Sequence, residues 1–209
     1  VEDLKKGFEP FQMEQEQADE ICQLRDAILA NLRHHSFIDG GQHVFQYLVI
    51  PSFSPTVSFD VFKRCMNASN NDFVLTKTVW RSDLDLAKLS SPVERLRHPR
   101  PLQPTIEIHV LSVPSETLEN LFKELSNLKQ SVATCQSQLV LDGVGYEIAL
   151  EQTVKSGMSS NDRLSWNEPP PSEWQDIPSW AKKAEAIFDM AQHTKAAIPF
   201  RIMPLDNEK

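Results

Sequence analysis

Three runs rich in β-branched and aromatic residues, HVFQYLVI (43 to 50), TVSFDVFK (56 to 63) and FVLTKTVW (73 to 80), stand close together, parted only by Pro51, Pro55 and a polar NASNND stretch. Such runs read as strands, and breaks this short suit antiparallel neighbours joined by turns. A fourth run, TIEIHVLSV (105 to 113), alternates Ile106, Ile108 and Val110 with Thr105, Glu107 and His109, the pattern of a half-buried strand. The helices around them are amphipathic. From Ser115, Leu118, Leu121, Phe122, Leu125 and Leu128 form one stripe. A helix over 12 to 35 carries Ile21, Leu24, Ile28 and Leu32 on one face, with His34 and His35 at its negative end and Gly40-Gly41 as its stop. A last helix over 178 to 192, capped by Ser179, places Trp180, Ala184, Ile187, Phe188 and Ala191 together. The expected fold is α+β: a mainly antiparallel sheet, with the 115–129 and 178–192 helices on one face. One domain over 1–209 is expected, with a loosely packed tail at 194–209. Between Trp80 and Pro104 the reading is an irregular crossing with one short helix, begun by Ser91, Pro92 and Glu94.

The stretch LVLDGVGYEIALEQ (139 to 152) poses a question of chemistry. A dinucleotide-binding turn needs a third glycine where Ile148 stands, and then a helix. Instead Val144, Tyr146, Ile148 and Leu150 alternate with Gly145, Glu147, Ala149 and Glu151, so a strand follows. Asp142-Gly143 reads as the turn of a hairpin whose first strand is 139 to 141. RLSW (163 to 166) is a returning strand, and the prolines of NEPPPSEW stiffen the link to the last helix.

Subtracting 29 acidic from 21 basic residues leaves a net charge of −8, which disfavours nucleic acid and makes a basic partner easier to accommodate. No apolar run is long enough for a membrane helix, and the opening VEDLKKGFEPF does not read as a signal peptide. Cys22, Cys65 and Cys135 are widely spaced and read as reduced, buried thiols, consistent with a cytoplasmic location. No cofactor is implied.

Glu107 and His109 share one strand face about 7 Å apart, close enough to bind a metal if Glu147 supplied a third ligand from an adjacent strand. That arrangement would make a small metal-dependent hydrolase; an ordinary solvated sheet face is the plainer reading. Asp83 and Asp85 suit a helix start, and RLRHPR, with Arg95, Arg97, His98 and Arg100, suits a solvated connector. Trp166, Trp174 and Trp180 are expected to cover one end of the core. An exposed one, ringed by carboxylates, would suit a basic protein.

Residues 139 to 191 are similar to a group of small bacterial proteins in which a D-G-x-x-Y-E-L strand precedes a Trp-containing strand, a P-x-E-W link and a closing helix. Asp142, Gly143, Tyr146, Glu147, Trp166, Glu173 and Trp174 carry the resemblance. Some of these proteins neutralise the toxins of competing bacteria, so the resemblance implies an immunity-type inhibitor and assigns no catalytic residue. The leading expectation is a non-enzymatic acidic protein that binds a basic protein partner through Trp166, Glu168, Glu173, Trp174 and Asp142. The hydrolase using Glu107, His109 and Glu147, and a subunit of a homo-oligomeric assembly, are the alternatives.

Overall fold

The computed structural model of the chain describes residues 9–34, 41–52, 54–64, 73–97, 102–129, 143–153, 159–170, 174 and 176–194. The described strands form one antiparallel sheet of seven, ordered β6-β5-β1-β2-β3-β4-β7. They are β1 (Gly41–Pro51), β2 (Thr56–Arg64), β3 (Phe73–Trp80), β4 (Ile106–Ser112), β5 (Val144–Thr153), β6 (Ser159–Asn167) and β7 (Gln192–Thr194). The helices are α1 (Glu9–His34), α2 (Ser82–Ser90), α3 (Pro92–Arg97), α4 (Ser115–Lys129) and α5 (Asp176–Asp189). The α+β expectation holds, with the four expected strands and both amphipathic helices in place. No described helix is long and apolar enough to cross a membrane.

Register assigns the two faces of the sheet. Phe45 lies opposite Val61, Tyr47 opposite Phe59 and Val61 opposite Leu75, so these side chains share a face. They join Leu118, Leu121 and Leu125 of α4 and Ile177, Trp180, Ala184 and Phe188 of α5 in the main core. The Trp180 ring meets Phe45 at 5.9 Å, and its Nε1 donates to the Leu121 carbonyl at 3.0 Å, so one side chain both fills the core and ties the two helices.

The opposite face is polar at its centre. Gln46 lies opposite Asp60, and Asp60 opposite Thr76, and all three are buried. The Asp60 carboxylate accepts from Ser58 Oγ at 2.8 Å and Gln46 Nε2 at 2.9 Å, with His43 Nε2 at 3.1 Å. Such bonds offset the cost of holding a carboxylate out of water. Gln46 also donates to the Leu32 carbonyl, one of the acceptors left without an intrahelical donor at the end of α1. Ile28, Leu29 and Leu32 of α1 pack beside Leu48 and Trp80 in a smaller apolar cluster.

Several expectations need correcting. The crossing after Trp80 holds two helices, because α2 precedes the α3 turn begun at Ser91, whose Oγ accepts from the Glu94 N–H at 3.4 Å. α5 begins at Asp176, which places Ser179 inside the helix. α5 ends at Asp189, short of the expected 192, and Gln192–Thr194 adds an edge strand on β4. Cys22 is exposed on α1, because the burying face of that helix is set by Ile28 and Leu32. Gly143 has φ 151°, which suits its expected role as a turn residue, while 139–142 and His35 lie outside the described residues.

Asp85 anchors this region. It is fully buried and accepts from Trp80 Nε1 at 2.9 Å, from the Thr105 N–H and Oγ1 at 2.7 Å each, and from Lys88 Nζ at 2.9 Å. Removing the carboxylate strands four donors. Asp85→Ala is therefore expected to cost about 3 to 5 kcal/mol in urea unfolding, with Asp85→Asn intermediate. A loss below about 1 kcal/mol would contradict this anchoring role.

Candidate functional site

Topology takes the suggested metal trio apart. Glu107 and His109 lie on β4, opposite Val79 and Lys77, on the face that carries Phe59 and Tyr47. Glu147 lies on β5 opposite Leu48, on the α1 face. In the strand order β4 and β5 are four places apart, about 19 Å at ~4.8 Å per strand, and the side chains leave opposite sides of the sheet. Glu107 pairs instead with Arg81 at 3.2 Å and lies 3.8 Å from His109. Glu147 is held by Arg33 of α1 through a two-pronged contact and by Arg163 of β6 at 2.9 Å. Its work is to clamp α1 onto β5 and β6. Among the described residues no three His, Cys, Asp or Glu side chains are grouped to hold a metal.

Two of the five residues expected to bind a partner lie inside the core. Trp166 and Trp174 are 4% and 3% exposed, so neither offers a surface anchor. Glu168 is exposed, and Asp142 and Glu173 lie outside the described residues. Asp83 stands in the first turn of α2 with Arg81 at 2.9 Å, and Arg97 pairs with Glu94 at 2.7 Å in the expected local fashion.

What Trp166 does build is a row of rings running diagonally across four strands. Trp166 stacks on Tyr146 at 5.2 Å, Tyr146 is nearly parallel to Tyr47 at 6.4 Å, and Tyr47 to Phe59 at 6.2 Å. Lys77 Nζ caps the far end 5.2 Å from the Phe59 centroid, held there by Asp189 at 2.7 Å. The row follows from register, since Tyr146 lies opposite Trp166, Tyr47 opposite Phe59 and Phe59 opposite Lys77. Periodicity shows such residues sharing a face but not becoming neighbours. The only advance signal was the aromatic content of the strands.

Where the Trp166 end of the row meets the start of α5, a cleft of about 50 Å³ opens. Tyr47, Tyr146 and Trp166 line it, and among the described residues Glu168, Glu185 and Lys182 carry its charge. Tyr146 Oη lies 3.5 Å from Glu168 Oε2. Burial first, and then Glu168 and Glu185, hold the Tyr146 phenol above its ordinary range. Tyr47 is pushed much further up by the same influences, burial again foremost. Burial and then Asp189 also raise the Glu185 carboxyl, against the pull of Lys77 and Lys182. Both phenols therefore stay neutral at physiological pH, inside a negative field. No family model matches the sequence, and no curated protein or solved structure matches it.

The sign of the Glu185 shift gives a stability test. A carboxyl with a raised folded-state value binds its proton more tightly when folded. Its ionisation therefore lowers stability as pH rises from the ordinary value of about 4.3 through the folded value. Glu185→Gln should raise Tm near pH 7, with the gain shrinking towards zero below about pH 4 in a calorimetric pH series. A gain that persists unchanged in acid would show that ionisation is not its cause.

Proposed function

We propose that the protein is a non-enzymatic, acidic partner-binding protein that engages a basic protein, of the immunity type that its C-terminal third resembles. The charge of the cleft carries this reading: among the described residues two carboxylates stand against one ammonium, over neutral phenols, on a chain of net charge −8. Glu168 is exposed at this site, where a long-range field can steer an approaching cation and a shorter-range contact can hold it. The trio that would have supported hydrolysis is split between opposite faces of the sheet. The described large apolar side chains left exposed, Leu84, Val93 and Met190, give no particular support to a self-assembly face. An inhibitor of this kind would act in the cytoplasm, on toxin that has already entered.

Fluorescence anisotropy with labelled lysine-rich and glutamate-rich peptides of equal length tests the proposal. The lysine-rich peptide alone should bind, and its affinity should fall as ionic strength rises. Replacing both Glu168 and Glu185 by Gln should weaken it about tenfold or more. Equal binding of the two peptides, or no binding of either, would contradict the proposal.

A further inference from the structure

Tyr47 has a feature that packing alone does not explain. It is 1% exposed and lines the cleft, yet its hydroxyl takes part in no hydrogen bond among the described residues. Its oxygen is not closed off from solvent, so it opens on the cleft, where a donor can reach it. Tyr146 Oη and the Glu168 and Glu185 carboxylates line the same space. Two phenols and two carboxylates thus line a small cleft.

We infer that this cleft is a primary-ammonium site, in which the Tyr47 and Tyr146 hydroxyls and the Glu168 and Glu185 carboxylates receive the –NH3+ end of a lysine-type side chain or a small alkylamine. An ammonium carries three donors and no acceptor, which matches a lining of phenol and carboxylate oxygens. The cleft is small, with a volume of about 50 Å³. A guanidinium is a planar fork of five fixed donors that suits paired carboxylate oxygens, whereas the rotatable donors of an ammonium suit a mixed set of hydroxyls and carboxylates. Quaternary ammonium groups are recognised over ring faces, but here Tyr47 and Tyr146 turn their faces towards their neighbours in the row. Among the described lining residues Lys182 is the one charge that opposes a cation.

The site deepens the partner-binding reading, on which only the source of the ammonium depends. The test is calorimetric titration of the purified chain with n-butylammonium, tetramethylammonium, guanidinium and the neutral isostere n-butanol. Saturable binding of n-butylammonium alone is expected. Tyr47→Phe should weaken it about tenfold, the loss typical of a hydrogen bond to a charged group, while leaving Tm unchanged or raised. Lys182→Gln should strengthen it about threefold by removing a like charge. Preference for guanidinium or tetramethylammonium, no saturable binding, or a Tyr47→Phe variant that binds as well as the parent would overturn the inference. A lysine-bearing peptide and its Nε-acetylated form separate the sources. Loss of binding on acetylation and in Tyr47→Phe points to a protein side chain in the cleft. Amine binding without peptide binding leaves the site standing and removes the protein partner. Peptide binding that ignores both changes keeps the partner and removes the site.

Discussion

The register that sets Tyr47 opposite Phe59 also sets Gln46 opposite Asp60, and on this pairing the rest of the molecule depends. Successive side chains of a strand point to opposite faces, so one alignment of β1 with β2 gives an apolar face and a polar one. The apolar face collects α4 and α5 around Phe45, Phe59 and Phe188. The polar face closes its donors and acceptors around Asp60 and then reaches α1 through Gln46 and the Leu32 carbonyl. A slip of one residue would place either Asp60 on the apolar face or Tyr47 in the polar network, and neither face could tolerate it. Thr78 Oγ1, on the polar face, is buried without a hydrogen-bond partner, the one such side-chain atom among the described residues.

The cleft is a consequence of the same pairing. Tyr47 stands in the row because β1 lies between β5 and β2, and the start of α5 ends the cover above it. Glu185 holds the folded chain in a state that a neutral residue would relieve. Sites arranged for binding commonly carry such local costs, which the surrounding core offsets. Here the core is large: α4, α5 and the strand faces bury Phe45, Phe59, Phe188, Trp166, Trp174 and Trp180 together.

Much of the fold was legible because its signals are local. The strands around Tyr47, Phe59 and Leu75 announce themselves through β-branched and aromatic runs, and α4 through its leucine stripe. α2 was not legible. Its buried residues are Ser82, Asp85 and Leu89, so its packing is polar and hydrophobic periodicity misses it. β7 is three residues long, too short for any pattern. The site was legible only in part. Glu168 and Trp166 both line the cleft, but Trp166 does so from within the core, and Tyr47 passed as an ordinary strand residue. Glu147 was correctly placed on a polar strand face, yet the strand order that parts it from His109 is a long-range property absent from local spacing. Its partner Arg33 is 114 residues away in the chain.

The chain has two tyrosines, and both belong to the cleft, so the state of that site can be read from tyrosine ionisation alone. Spectrophotometric titration at alkaline pH, on the parent and on Tyr146→Phe, is the most direct measurement. The account predicts that Tyr146 ionises above the ordinary phenol value of about 10, and that Tyr47 does not ionise until the chain unfolds. Two phenols titrating reversibly near pH 10 in the folded protein would show that neither the burial nor the negative field exists.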